Sequence, residues 1–235
     1  GAALGFGGYT PPATASGATE EYDGSTWTTS PGSLGTARYR IAGAGIQTAA
    51  LGFGGYNATQ LANTEAYDGT SWTVTGSLAV ARARIAGAGT RPAALAIGGY
   101  PDQTSTEEFN ISANVVTAAA WASGTAITTP RTGLSGTGTP TAGLIFGGYP
   151  SNNESEEYDG TTWVEGSNLN TGRGSACGFG TQTAAVMAGG HDYQTTTENY
   201  NGTSWTASGA LGTGRRYLAG AGTQTAGLAI GGYTP

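Results

Sequence analysis

One histidine, one cysteine and no lysine stand in this chain, so its chemistry must rest on carboxylates, arginines, hydroxyls and tyrosines. His191 and Cys177 cannot found a multi-His or multi-Cys metal cluster or an internal disulfide, and no metal or cofactor is expected. A Ser-His-Asp triad would have to use His191, and no Gly-x-Ser-x-Gly turn supports it. Two carboxylates working on a glycosidic bond stay formally available. They would be acids that break the internal repeat, namely Asp102, Glu154, Glu165 or Asp192. Two further sets recur once per repeat. Arg38, Arg82, Arg131, Arg173 and Arg215 each open a first strand, and Glu20, Glu65, Glu107, Glu156 and Glu198 each open a third. Once-per-repeat spacing predicts architecture, a ring of ion pairs and Arg-to-carbonyl bonds, ahead of a sugar- or anion-binding ring.

The elements that position these residues are read from the repeat itself. The phrase Ala-Ala-Leu-Gly-Phe-Gly-Gly-Tyr ends at Tyr9 and Tyr56 and returns in variants ending at Tyr100, Tyr149, His191 and Tyr233. Between the copies lie Trp27, Trp72, Trp121, Trp163 and Trp205, each preceded by a Glu-x-aromatic element. Each unit reads as four short strands: an Arg-led run of small residues, the continuous apolar run, the Glu-x-Tyr segment after a variable loop, and a strand opened by Trp after an Asp-Gly turn. With 43 glycines in 235 residues, long helices are excluded. The expected fold is all-β, a single five-bladed β-propeller over 1–235 with four antiparallel strands per blade. Its units run 1–37, 38–81, 82–130, 131–172 and 173–214, with closing strands in 215–235. Small innermost residues such as Ala42-Gly43-Ala44-Gly45 suit a narrow channel. The tryptophans should fill the space between blades with each indole N–H paired. Cys177, on an innermost strand, reads as a buried small hydrophobe.

The order Arg, Gly-Gly, Glu-x-Tyr, Trp resembles the kelch motif and covers the chain five times over. That resemblance implies a propeller with one sheet per blade. It raises galactose oxidase, whose copper site needs two His and a Cys cross-link that this composition does not supply. A propeller sialidase is the other candidate, but its Asp box requires a residue between Asp and Gly, and Asp23 and Gly24 are adjacent. The wording Ala-Gly-Thr-Gln-Thr-Ala with Tyr-Asp-Gly-Thr-Ser-Trp is also similar to repeats of marine tailed-phage tail and virion-surface proteins.

The units differ unevenly. The Gly-Thr-Gln-Thr and Asp-Gly-Thr-Ser turns are nearly constant and share one face, while the loops between strands two and three differ in every unit and lie on the other. Variable loops on a rigid scaffold commonly carry recognition, and Tyr with Asn is adaptable contact chemistry. The candidate binding residues are Tyr9, Tyr56, Asn57, Tyr100, Asp102, Tyr149, Asn152, His191 and Tyr193. The reading is a non-enzymatic propeller on a virion or other extracellular surface, structural or recognising a host glycan or receptor protein, with other surface subunits as partners. A carbohydrate-active enzyme of glycoside-hydrolase type is the alternative. A formal charge of −6 argues against nucleic acid. No apolar run approaches the roughly 20 residues of a membrane span, so no membrane insertion is expected. The start at Gly1 in an apolar run reads as a processed or excised module. Strand two occurs six times and the others five, which predicts a shared seam between Gly1 to Tyr9 and Ala226 to Tyr233.

Overall fold

The computed structural model describes all residues except 12–13, 102, 112–119 and 151–152. The fold is all-β, a five-bladed β-propeller. Units two to five are complete four-stranded antiparallel blades in sequence order from the inside outward. In unit two the strands are Ala42–Ile46, Ala49–Phe53, Thr64–Tyr67 and Trp72–Thr75. Unit three repeats them as Ala86–Thr90, Ala93–Ile97, Thr106–Asn110 and Ala120–Ser123. Unit four has Ser135–Thr139, Ala142–Phe146, Ser155–Tyr158 and Trp163–Glu165. Unit five has Cys177–Thr181, Ala184–Ala188, Thr197–Tyr200 and Trp205–Ala207. The long hairpin expected in unit three lies outside the described residues.

The remaining blade is divided between the chain ends. Ala3–Phe6, Thr19–Tyr22 and Trp27–Thr29 form a three-stranded sheet that lacks an innermost strand, and Ala219–Thr223 pairs only with Ala226–Ile230. The C-terminal copy of strand two therefore holds the last innermost strand, and among the described residues no pairing joins the two end sheets. The first stacks on unit two, with Phe6 and Trp72 rings 4.8 Å apart, and the second on unit five, where Gln224 donates to the Tyr200 carbonyl at 2.6 Å.

Strand two is buried on both faces, as its continuous apolar run predicts; Leu51, Leu95 and Leu144 are wholly inaccessible. The innermost strands come close because they carry almost no side chain. A Cβ on Gly87 would lie 2.4 Å from the Gly43 carbonyl oxygen of the neighbouring blade. Each described constant turn is set locally: in unit one the Asp23 carboxylate accepts from the Ser25 and Thr26 backbone N–H at 2.7 and 2.8 Å, which holds its pKa below the usual carboxylate range. Among the described residues no helix is long and apolar enough to cross a membrane.

Four of the five tryptophans, Trp72, Trp121, Trp163 and Trp205, sit between blades as expected. Trp121 lies tilted against Phe109 of its own blade and edge-on to Phe53 of the preceding one, at 5.3 and 4.9 Å between centroids. Each such ring pair is worth about 0.5–1.5 kcal/mol beyond its buried area. The expectation that every indole is paired is corrected. Trp72 and Trp121 donate to Thr19 and Thr64 of the preceding sheet, each at 2.9 Å, whereas the Trp163 and Trp205 N–H groups are buried with no partner among the described residues. Trp27 has no blade before it and is 38% exposed.

Candidate functional site

The once-per-repeat arginines and glutamates are inside the fold. Arg38 meets Glu65 at 2.6 Å, Arg82 meets Glu107 at 2.8 Å, Arg173 meets Glu198 at 2.7 Å, and Arg131 pairs with Glu156. All four guanidinium side chains are inaccessible to solvent. The second oxygen of each glutamate accepts a backbone N–H from the segment arriving from the previous blade, at Gly35, Ala79, Thr128 and Asn170. Each pair thus clamps strand three to the incoming linker. The remaining donors go to carbonyls, such as Arg82 Nη1 to Gly98 and Ser105 at 2.8 Å. Burial alone would raise the Glu198 carboxyl, but the Arg173 hydrogen bond and those from Asn170 outweigh it and hold its pKa below the ordinary value.

Two members of these sets have no such partner. Glu20 is exposed on the sheet that lacks a first strand, and Arg215 donates to the Gly231 carbonyl at 2.9 Å with no carboxylate beside it. The arginines also do not open strand one, as their spacing suggests. Arg38 precedes the strand Ala42–Ile46 by four residues, because the intervening backbone turns out of extended geometry.

That turn builds the site. The residue two after each arginine is left-handed: Arg40, Arg84, Gly133, Ser175 and Tyr217 have φ of 55, 55, 64, 57 and 56°. Gly133 shows that glycine fits. Elsewhere the chain puts glycine at most of its positive-φ positions, yet here it keeps two arginines, a serine and a tyrosine, at about 1 kcal/mol of strain each. The turn is locked by backbone bonds between units. The second glycine of each Gly-Gly pair donates to the arginine carbonyl of the next unit, from Gly8 to Arg38 at 2.9 Å through Gly190 to Arg215 at 2.8 Å. The aromatic residue after Gly-Gly then bridges to the residue ahead of the left-handed one, as in Tyr39 with Tyr56, Ala83 with Tyr100, Thr132 with Tyr149 and Arg216 with Tyr233. In unit five His191 takes that place and donates its N–H to Gly174 at 2.9 Å.

These locks gather aromatic and basic side chains around a central mouth on the variable-loop face. A funnel of about 700 Å³ is lined by residues from every unit, among them Phe6, Tyr9, Arg40, Arg84, Arg216 and Tyr217. Beside it a recess of about 320 Å³ is formed by Tyr39, Arg40, Tyr56, Gln60, Arg84 and Tyr100. The three arginines are braced by ring faces. Arg40 lies 5.2 Å from the Tyr39 centroid, Arg84 5.8 Å from Tyr100, and Arg216 4.9, 5.4 and 5.6 Å from Tyr193, Tyr217 and Tyr233. Among the described residues none of them forms an ion pair, and the Nε–H groups of Arg84 and Arg216 are buried without a hydrogen bond.

Of the expected binding residues, Tyr9, Tyr56 and Tyr100 line these openings. Tyr149 is half-buried, edge-on to the His191 ring at 5.7 Å, and Tyr193 sits beneath Arg216. Asn57 is exposed in a short hairpin of Tyr56–Asn57 with Thr59–Gln60, off both linings. Asp102 and Asn152 lie outside the described residues. Sequence reasoning missed Arg40, Arg84, Arg216 and Tyr217. The available signal was the pair after each repeat arginine, which changes from Tyr-Arg to Ala-Arg, Thr-Gly, Gly-Ser and Arg-Tyr inside an otherwise constant phrase.

The candidate hydrolytic acids are dispersed. Glu154 lies 3.5 Å from Arg131, Glu165 is exposed on an outermost strand, and Asp192 meets His191 Nδ1 at 2.9 Å. Among the described residues no three His, Cys, Asp or Glu side chains gather to hold a metal ion. Cys177 is buried on an innermost strand, and burial pushes its thiol up to about 12. Compared with known proteins, the chain matches no protein-family model and no curated sequence.

Proposed function

We propose that this propeller is a non-enzymatic recognition module of kelch-like type, displayed on a virion or other extracellular surface, that binds a host glycan or receptor protein through its variable-loop face. The observation that carries the reading is the central mouth, where tyrosines and arginines from successive units converge behind loops that differ in every repeat. Rigid aromatic side chains offer large contact area at low conformational cost, and left-handed residues fix their positions before any ligand arrives. The described mouth lining carries no carboxylate, which suits binding and offers no acid–base pair for hydrolysis.

The test is binding to host cells or a glycan array by the protein carrying Tyr56→Ala and Tyr100→Ala together. Both rings lie at the opening, so folding should persist by circular dichroism while binding falls at least about tenfold, the loss of one or two aromatic contacts. Undiminished binding by the folded variant would exclude this face. Turnover of a glycan, abolished at a single loop carboxylate, would overturn the non-enzymatic reading.

A further inference from the structure

Seven of the nine arginines of this acidic chain fall into two contrasting groups. Four are sealed against glutamates in the blades, while Arg40, Arg84 and Arg216 stand at the mouth against tyrosine rings, with no ion pair among the described residues. Most of the described acids are engaged elsewhere, on blade arginines, on the Asp-Gly turns and, as Glu21, Glu108 and Glu157, on Tyr67, Tyr158 and Tyr200 across blade boundaries, while Glu20 and Glu165 are exposed on the third strand of unit one and the fourth of unit four. Asp192, beside the Tyr193 that braces Arg216, meets His191 Nδ1 at 2.9 Å. The mouth is thus a local excess of positive charge in a protein of net charge −6. A guanidinium presents its N–H donors in a planar fork that matches an oxyanion, and ring faces on either side orient the fork without neutralising it.

Resting on the recognition reading, we infer that the ligand of this mouth is a carboxylate-bearing saccharide of the hexuronate class. Arg40 and Arg84 serve as a paired clamp for the carboxylate, with Arg216 facing them from the closing strands. Arg40 and Arg84 are neighbours, since the Arg84 N–H donates to the Arg40 carbonyl at 3.1 Å, and both line the funnel and the recess. Tyr56 and Tyr100 supply flat faces for the apolar sides of sugar rings within the same recess. A neutral glycan would use the tyrosines and leave three unneutralised cations at the opening. A bare anion would use the arginines and leave the tyrosines idle.

The left-handed backbone provides a sharp experiment. Arg40→Gly and Arg84→Gly remove the guanidinium and also the backbone strain, because both residues have φ of 55°. Calorimetric titration with oligogalacturonate, its methyl ester and sodium acetate reads the three arms. Binding of the oligogalacturonate is expected, weakened at least tenfold by esterification, by either substitution, and by raising NaCl from 50 to 500 mM as separate conditions. The thermal midpoint of each glycine variant is expected to stay level or rise, so lost binding cannot be ascribed to unfolding. Equal binding of acid and ester, or undiminished binding by both variants, overturns the inference and leaves the recognition face standing. Acetate binding as tightly as the oligosaccharide also overturns it, since the sugar then contributes nothing. Absence of oligogalacturonate binding overturns it as well, and the array experiment with the tyrosine variants then decides the recognition reading by itself.

Discussion

At the scale of single residues, the same side-chain type does two opposite jobs, and burial separates them. Arg82 is inaccessible, its charge compensated by Glu107 and three carbonyls; Arg84, two residues later, is braced by a ring and has no counter-ion among the described residues. Removing one partner of a sealed pair strands the other. Glu107→Ala is therefore expected to lower unfolding free energy by about 3–5 kcal/mol in urea titration. Glu20→Ala, at the exposed and unpaired member of the same series, should change it by less than about 0.5 kcal/mol. Similar losses from both would mean that the ion pair is not what these glutamates contribute. The sealed set was legible in the sequence because periodic Arg and Glu can hardly be anything but scaffold. The mouth set was not, because Arg40 and Arg84 matter through a left-handed backbone that no residue propensity announces and through tyrosines forty or more positions apart in related units.

At the scale of elements, the join between blades is a backbone feature wrapped around Gly-Gly. The first glycine of each pair is left-handed, and in all but the last pair it lies against the arginine carbonyl that the second glycine bonds. At Gly54, with φ of 62°, an added Cβ would meet the Arg82 carbonyl oxygen at 2.7 Å and the Ile85 side chain at 2.3 Å. At Gly231, with φ of 61°, it would meet nothing within 4 Å. The pair separates strain from collision. Gly231→Ala should cost about 1 kcal/mol, the left-handed penalty alone, while Gly54→Ala should cost at least about 3 kcal/mol because the blades must move apart. Chemical denaturation of both variants gives the comparison, and equal costs would show that the join yields easily. The four-strand pattern, the buried second strand and the small innermost residues were all readable from hydrophobic continuity and turn chemistry. Where each first strand begins was not, since the run after each arginine looks extended until the left-handed residue interrupts it. The unpaired indoles of Trp163 and Trp205 were equally hidden, because Thr106 and Ser155 stand at the register of Thr19 and Thr64 without revealing side-chain direction.

At the scale of the whole molecule, the sixth copy of strand two predicted a seam shared by the chain ends, but among the described residues the end sheets do not pair: three strands stay with the first unit and two with the last. Complete blades have a neighbour on each side, whereas among the described residues the two end sheets share no strand pairing. An assembly coupled only between neighbours does not melt as a block. It has a grain, and opening enters from the two margins and travels inward. Amides of Ala3–Phe6 and Ala226–Ile230 should thus exchange with deuterium about a hundredfold faster than those of Ala93–Ile97 and Ala142–Phe146, on the order of 3 kcal/mol in opening free energy. Uniform protection would show instead that the margins are fused. If the gradient is found, the mouth straddles it: Arg40 and Arg84 stand on ground that stays shut, and Arg216, Tyr217 and Tyr233 on ground that breathes. A bound ligand touching both would act as a rivet across the softest line in the molecule, and its occupancy would be read as slowed exchange far from any atom it contacts.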